Sequence, residues 1–463
     1  MHRSITGAVA VFLLMGCSPG GMATSPDRRS PPPTPFDGGG ATPGDEGLTD
    51  SDGDGVPDVV EEAAGTDPTR PGSNPWLDGD FVFIVPFGMP PSPPRATFGF
   101  STTIKQADVY FMIDTSWSMQ REIDAVRGTL SGTIFPGLTA AIEDVQVGAG
   151  QFDVCPEIRM EPGSAHVGCT GIQNDASITS DLSVVEAGLA GMTPDCGVQE
   201  PYGQGVWLFA TGDTSRWPTL APRDCSDDPD GLPSVGYPCV RGGALPILVV
   251  IGDEPYGQGE NCSRLPGTFV PTVDEVSAAL NDIGGKIVVM GTTGRSAQWD
   301  TIGRATGSVD SAGDPYIFPD SARGTALGAQ IVDAISQLAV QLPLDITARA
   351  RDLDDDGVDA ASFVERLETN GSGEMGDRRD TTLVCTSGLT TVDGDGDGFD
   401  DGFSGVLPGT SVCFDVLARQ NDSVEVETTT VYRAAIEVLA EGVTVVDTRT
   451  AYFVVPAGGP AVF

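Results

Sequence analysis

The chain has 463 residues, and 66 aspartates and glutamates against 25 lysines and arginines give it a formal net charge of −41. A surface this negative repels the phosphates of nucleic acids and of anionic lipids, so neither is an expected ligand. The two histidines, His2 and His166, cannot build a serine-protease triad or a two-histidine zinc site, because His2 lies in a predicted signal segment. We therefore expect no enzyme activity and no small-molecule substrate.

The N-terminus predicts export and a lipid anchor. Arg3 supplies a positive charge, residues 5–15 form a short apolar run, and the tetrapeptide LMGC ends at Cys17. This pattern resembles the lipobox of bacterial lipoproteins, which implies a signal peptide over 1–16 and lipidation of Cys17. An ordinary secretory signal is the alternative. The resemblance implies an outer-membrane lipoprotein of the cell envelope, facing the periplasm or the cell surface, that touches the membrane only through its lipid.

A tether rich in proline and glycine, residues 17–47, leads to an acidic segment, 48–75, whose spacing predicts a calcium site. Carboxylates stand at positions 1, 3, 5, 9 and 12 of a loop with glycine at position 6, which is the pattern of a Ca²⁺ loop. A solvated acidic linker is the alternative. The segment also resembles bacterial thrombospondin type 3 repeats, in which calcium stiffens a stalk. The predicted ligands are Asp50, Asp52, Asp54, Asp58 and Glu61.

The central region, 107–342, alternates apolar strands with amphipathic helices. This alternation predicts an α/β fold with a doubly wound, mostly parallel sheet, in which ligands bind at the carboxyl ends of the strands. The predicted strands are 107–113, 145–152, 244–252 and 286–291, and the predicted helices are 118–130, 182–192, 203–210, 273–283 and 322–342.

The first of these strands leads directly into a candidate metal-binding loop. In ADVYFMIDTSWSM, Asp114, Ser116 and Ser118 follow the strand, and a carboxylate and two hydroxyls at this spacing turn toward one point. The D-x-S-x-S pattern resembles the metal-ion-dependent adhesion site of von Willebrand factor type A domains. That resemblance implies a Rossmann-like fold and a Mg²⁺ or Mn²⁺ ion with one coordination position left for the Asp or Glu carboxylate of a protein partner.

The same resemblance implies two further ligands. Asp253, after the apolar run in ALPILVVIGDEP, takes the place of the family's second acid. The stretch around Glu200 resembles integrin β subunits, where a glutamate opens the corresponding helix, so Glu200 is the expected fourth ligand and Thr193 the alternative. Integrin β subunits also bind an adjacent calcium through paired acids, but this chain has Arg121 and Glu122 there, and we expect no such site.

Strand-like alternation returns after the central region. Residues 343–463 predict an antiparallel β-sandwich, and residues 76–106 are also rich in strand-forming residues. Integrin β subunits insert their A-like domain into a sandwich, and that resemblance implies that 76–106 and 343–463 form one discontinuous domain. A separate C-terminal domain is the alternative.

Two acidic runs in this C-terminal part resemble calcium loops less closely, because position 12 is Phe363 in one and Ser404 in the other. Exposed acidic turns are the alternative. The weaker calcium candidates are Asp352, Asp354 and Asp356 in the first run and Asp393, Asp395, Asp397 and Asp401 in the second.

The cysteines fit an exported protein. Setting Cys17 aside for lipid leaves an even number, which predicts disulfides. Proximity in the sequence favours 155 with 169, 225 with 239 and 385 with 413, and leaves 196 with 262.

Together these features predict a surface-anchored adhesion module that binds a protein partner through a divalent cation. The alternative is an envelope assembly or scaffold subunit with one dedicated protein partner and a structural metal site.

Overall fold

The computed structural model describes residues 48–156, 169–194, 196, 200–217, 220–225, 233–256, 268–291, 296–319, 326–373 and 384–458. The predicted signal peptide, the lipidation of Cys17, the tether 17–47 and the cysteine at 262 lie outside these ranges. Within them, no helix combines the length and the apolar character needed to cross a membrane.

Helices and strands alternate in the middle of the chain, and strands dominate on either side. The helices are α1 (Asp58–Ala64), α2 (Gln120–Thr129), α3 (Phe135–Ala141), α4 (Leu182–Gly191), α5 (Tyr202–Thr211), α6 (Val273–Asp282), α7 (Ala297–Ala305) and α8 (Ala326–Gln341). The strands are β1 (Phe81–Ile84), β2 (Arg95–Ser101), β3 (Gln106–Asp114), β4 (Asp144–Phe152), β5 (Ile172–Thr179), β6 (Leu245–Ile251), β7 (Lys286–Met290), β8 (Ile317–Phe318), β9 (Leu344–Asp352), β10 (Val364–Thr369), β11 (Thr390–Val392), β12 (Gly402–Val406), β13 (Ser411–Ala418), β14 (Thr430–Ala440) and β15 (Thr444–Val455).

The central sheet has six strands in the order β5-β4-β3-β6-β7-β8, and every neighbouring pair is parallel except β4 with the edge strand β5. Successive residues of a strand point to opposite faces. Val109 and Phe111 of β3 share a core cluster with residues of α2 and α8, whereas Tyr110 and Met112 share one with residues of α5 and α6. Helices therefore lie on both faces, and the expected mixed α/β fold is confirmed.

The four predicted central strands correspond to β3, β4, β6 and β7, with small shifts at their ends. Strand β5 and helices α3 and α7 were not predicted from the sequence. The β5 sequence, IQNDASIT, is largely polar because this antiparallel edge strand is only partly buried, so it lacks the continuous apolar run of the inner strands.

Two further sheets combine strands from both sides of the central region. One has the order β1-β15-β14-β9-β12-β11 and the other β10-β13-β2. Aromatic rings connect them: Phe81 of β1 lies 5.8 Å from Phe98 of β2, and Phe403 of β12 lies 5.3 Å from Phe414 of β13, between ring centroids. The strands before the central sheet thus share a core with the strands after it.

The turn between β14 and β15 joins these sheets to the central one. Lys286, which begins β7 and is buried, pairs with Glu441 in this turn at 3.0 Å. Beside it the Val445 N–H donates to the Gly243 carbonyl over 3.0 Å. The contact lies at the starts of the parallel strands, which leaves their carboxyl ends at the opposite edge.

The acidic N-terminal segment packs on the sheet that contains β1 and β15. Val56 and Val60 are fully buried and share an apolar cluster with Val82 and Ile84 of β1 and with residues of β15. The resemblance to thrombospondin type 3 repeats implies a stalk, but here the segment lies against the sheet that contains β1 and β15.

Three disulfides join described cysteines: Cys169–Cys196, Cys225–Cys239 and Cys385–Cys413. The last two match the sequence prediction. The predicted pairs 155 with 169 and 196 with 262 are wrong, because the fold brings Cys169, just before β5, against Cys196, after α4. Cys169 thus pairs with a cysteine 27 residues away instead of the one 14 residues before it.

Candidate metal centres

Asp114 ends β3 and is buried at the carboxyl edge of the central sheet. The Ser116 N–H donates to Asp114 Oδ1 over 2.7 Å, and the hydroxyl oxygens of Ser116 and Ser118 lie 3.3 Å apart. Helix α2 begins two residues after Ser118. A tight turn between the buried strand β3 and this helix therefore holds the side chains of Asp114, Ser116 and Ser118. The structure therefore groups Asp114, Ser116 and Ser118 as the motif predicts.

Two acids from distant parts of the chain join them. Asp114, Glu200 and Asp253 each offer a carboxylate oxygen, and these oxygens all lie within 4.8 Å of one another. Asp253 follows β6, the neighbour of β3, and Glu200 precedes α5. Thr193, the alternative to Glu200, is exposed, whereas Glu200 is buried.

The electrostatics of this cluster favour a bound cation. Burial raises the pKa of Asp114 to about 7, and the charge of Asp253 adds to the shift although hydrogen bonds from Ser116 oppose it. Burial also raises the pKa of Glu200 to about 8, with further contributions from Asp114, Asp253 and Glu254. The Oε2 atom of Glu200 is buried without a hydrogen-bond partner in the described part of the chain. A hard divalent cation satisfies such a set of oxygens, so these residues fit Mg²⁺ or Mn²⁺.

Tyr202 supports the cluster and was missed by the sequence analysis. Its hydroxyl donates to Asp114 Oδ2 over 3.2 Å and accepts the Glu254 N–H over 3.4 Å. The ring is fully buried and makes edge contacts with Phe152 and Trp299 at 4.8 and 5.8 Å between centroids. Tyr202 thus orients a candidate ligand from the second coordination sphere. In the sequence, only its position two residues after Glu200 pointed to a role at this site.

Trp117 was also missed. It stands between the two serines of the motif and is 76% exposed, which is unusual for so large an apolar side chain. Because its two neighbours along the chain are candidate ligands, its exposed ring is a candidate contact for a partner.

The acidic N-terminal loop gathers three of its predicted ligands. Asp50, Asp52 and Asp54 offer oxygens within 4.8 Å of one another. Asp50 accepts the N–H groups of Gly53 and Gly55 over 2.8 and 2.9 Å, and both glycines have the positive φ that wraps the loop (77° and 96°).

The other two predicted ligands differ from each other. Both oxygens of Asp58 accept hydrogen bonds from Ser51, over 2.7 Å from its N–H and 2.6 Å from its hydroxyl, so Asp58 closes the loop. Glu61 is fully buried, and within the described residues neither of its carboxylate oxygens has a hydrogen-bond partner. Burial and the charges of the loop aspartates raise its pKa to about 7.

The 393–401 loop has the same hydrogen-bond pattern as the N-terminal loop. Asp393 accepts the N–H groups of Gly396 and Gly398 over 2.7 and 3.0 Å, and Asp401 accepts that of Gly394 over 2.7 Å, as Asp58 accepts that of Ser51. Asp393, Asp395 and Asp397 offer carboxylate oxygens within 4.8 Å of one another, but all three residues are exposed.

The acids of the other C-terminal candidate have separate partners. Among the described residues, the carboxylates of Asp352, Asp354 and Asp356 do not form a common cluster. Asp354 is engaged by the Arg433 guanidinium, whose Nε lies 2.9 Å from Asp354 Oδ2, and Asp352 accepts the N–H of Ala360 over 3.0 Å. The Arg433 guanidinium thus contacts a carboxylate that the sequence offered as a Ca²⁺ ligand.

No protein-family model matches the chain, and no curated protein is similar to it. Solved structures resemble it in part. A von Willebrand factor type A protein from Catenulispora acidiphila is 10% identical, with a TM-score of 0.27 over 82% of this chain and 74% of that one. Proximal thread matrix protein 1 from the mussel byssus is 11% identical, with a TM-score of 0.29 over 52% and 48%. The SpRpn10 VWA domain is 11% identical, with a TM-score of 0.28 over 49% and 94%.

Proposed function

We propose that the chain is a protein-binding module that captures a carboxylate of its partner through a divalent cation at the Asp114 cluster. The observation that carries this proposal is the meeting of three acids with two serine hydroxyls at the carboxyl edge of the central sheet. There, one oxygen of Glu200 is buried without a hydrogen-bond partner among the described residues. Mg²⁺ or Mn²⁺ is the proposed ion. We interpret the central unit as a doubly wound domain of the von Willebrand factor A type, inserted into one β-sandwich formed by the two other sheets.

The residues have separate roles in this proposal. Ser116 and Ser118 provide neutral oxygens, and Asp114, Glu200 and Asp253 provide charge either directly or through water. An incoming Asp or Glu carboxylate completes the coordination, since Mg²⁺ is commonly held by a few protein groups with several waters that a ligand can replace. Trp117 offers the partner an apolar surface beside the ion.

We also propose, from the sequence alone, that Cys17 carries lipid and that the module is held at the outer membrane. A surface location suits an adhesion module because the partner is then a protein on another cell, in the matrix or in the envelope.

Calorimetric titration tests the ion site. Metal-stripped wild-type protein should bind Mg²⁺ at one site that both Asp114→Ala and Asp253→Ala lose. Glu186→Gln is the matched control, because Glu186 is an exposed acid on α4. If all four proteins bind Mg²⁺ alike, the adhesion-site proposal is wrong.

Capture experiments then identify the partner class. Adhesion to cells or matrix that EDTA abolishes and Mg²⁺ restores supports an adhesion module. Recovery of one stoichiometric envelope protein supports the assembly-subunit alternative. Partner binding that is unchanged in EDTA and in Asp114→Ala contradicts a cation-bridged contact.

A further inference from the structure

We propose that Ca²⁺ in the 50–61 loop fastens residues 48–65, here called the cap, onto the outer side of β1 and β15. The ion then acts as a clamp between the cap and the sheet that contains these two strands. This inference is independent of the Asp114 cluster and does not require the proposed function.

The cap has few apolar contacts of its own. Val56 and Val60 are fully buried against Val82, Ile84 and their neighbours on β15. Helix α1 has only seven residues, and an isolated helix of that length is not stable in water. The stability of helix α1 therefore depends on how strongly the rest of the cap docks on β1 and β15.

The polar half of the cap opposes docking unless a cation is present. Glu61 follows Val60 directly, so docking of the valine carries the carboxylate into a site with no exposed surface and no hydrogen-bond partner in the described residues. Asp52 is half-buried, and its Oδ2 atom is also buried without a hydrogen-bond partner among the described residues. Asp50, Asp52 and Asp54 lie close together and repel Glu61. A hard cation with many oxygen ligands removes this penalty, and Ca²⁺ accepts the irregular geometry of such a loop.

Asn74 connects the loop to the sheet. Its side-chain N–H₂ donates to Asp54 Oδ2 over 2.5 Å, and Asn74 immediately precedes the short turn Pro75–Asp78 that leads into β1. Asn74 Oδ1 is also buried without a hydrogen-bond partner in the described chain. An ion in the loop thus orders Asp54, which in turn holds the segment that enters the sheet.

Ca²⁺ binding and docking of the cap are thermodynamically linked, so each favours the other. If Ca²⁺ binds the docked cap and not the free one, free Ca²⁺ at about 100 times its dissociation constant shifts the docking equilibrium about 100-fold. Removal of the ion then exposes Val82 and Ile84 on β1, which is the edge strand of its sheet. An uncovered apolar edge strand is a site for association between chains.

Hydrogen exchange of the full-length chain tests this clamp, with Mg²⁺ present throughout and either Ca²⁺ or EGTA added. In EGTA, amides of 49–65 and of β1 should lose protection by up to about 100-fold, while the central strand β3 keeps its own. Glu61→Gln keeps the size of the side chain and removes its charge, so the difference between Ca²⁺ and EGTA should largely disappear. Val60→Asp should expose the same amides even with Ca²⁺.

Two control variants separate this proposal from others. Asp395→Asn alters the exposed 393–401 loop, and Asp114→Ala alters the adhesion site, so both should retain the Ca²⁺-dependent protection of 49–65. Equal exchange in Ca²⁺ and EGTA for the wild type overturns the clamp, whether or not calorimetry detects Ca²⁺ binding. Loss of the calcium effect in Asp395→Asn also overturns it, because the ion would then act from the other loop.

Discussion

The hydroxyl of Tyr202 donates a hydrogen bond to Asp114 Oδ2 over 3.2 Å, so a buried ring at the start of α5 orients the carboxylate that ends β3. The two residues are far apart in the chain and meet only because α5 covers the carboxyl end of that strand. Orientation by an outer partner of this kind commonly contributes 10- to 100-fold to metal affinity, about 1.4 to 2.7 kcal/mol.

Tyr202→Phe should therefore weaken Mg²⁺ binding by about 10- to 100-fold while the ring contacts with Phe152 and Trp299 persist. Calorimetric titration measures the change. Tyr316→Phe is the matched control, because the Tyr316 hydroxyl is buried without a hydrogen-bond partner in the described chain and its loss should leave Mg²⁺ affinity unchanged. Equal affinities for Tyr202→Phe and wild type would show that the hydrogen bond does not organise the site.

Trp117→Ala should lower partner affinity by about 2 kcal/mol, roughly 30-fold, because an exposed tryptophan beside the ion is a typical interface anchor. Its Mg²⁺ affinity and melting temperature should stay near those of the wild type, since the side chain is 76% exposed in the free protein. Surface plasmon resonance with the captured partner measures the first effect. Val340→Ala removes another exposed apolar side chain, on α8, and should bind normally.

The metal-free protein should become less stable as pH rises from about 4.5 to about 8. The folded-state pKa values of Asp114 and Glu200 are raised to about 7 and 8, so over this range the folded state holds protons that the unfolded state has released. The stability that these protons supply is fully present below about pH 4.5, and it is lost as pH rises through the folded-state pKa values of about 7 and 8. Melting temperatures in EDTA across this range measure the slope.

The matched variant for this pH effect is Glu200→Gln, which cannot titrate and should flatten the slope in EDTA. Mg²⁺ binding should also strengthen with pH in the wild type, because the ion displaces the protons held by the acids. A melting temperature in EDTA that rises steadily from pH 4.5 to 8 would contradict both raised pKa values.

Lys286→Ala should destabilise the folded chain by about 3 kcal/mol. Its ammonium group is buried, pairs with the half-buried Glu441 at 3.0 Å and donates to the Thr306 carbonyl over 2.7 Å, so its removal takes away the positive charge that both oxygens contact. Urea denaturation measures the loss. Arg304→Ala is the control, because Arg304 and Asp314 are exposed and 3.9 Å apart, and such a pair contributes less than about 1 kcal/mol. Equal losses for the two variants would mean that the Lys286 contact is not a structural link.

The sequence by itself determined the features whose residues are close along the chain. Buried strands such as β3 and β6 show as continuous apolar runs, and the turn from Asp114 to Ser118 is local, so spacing alone grouped its oxygens. The 50–61 loop is likewise one continuous segment, in which glycines at the required positions determine the wrapping of the backbone.

Only the tertiary structure decided which distant residues meet. Glu200 and Asp253, which the sequence offered only through a family resemblance, join Asp114 through the order of strands and helices. Tyr202 joins them through packing, and Cys169 pairs with Cys196 instead of its nearer neighbour. The docking of the cap on β1 and the pairing of Asp354 with Arg433 also depend on long-range contacts. Local periodicity reports which face of an element is apolar, but it carries no information on the element that covers that face.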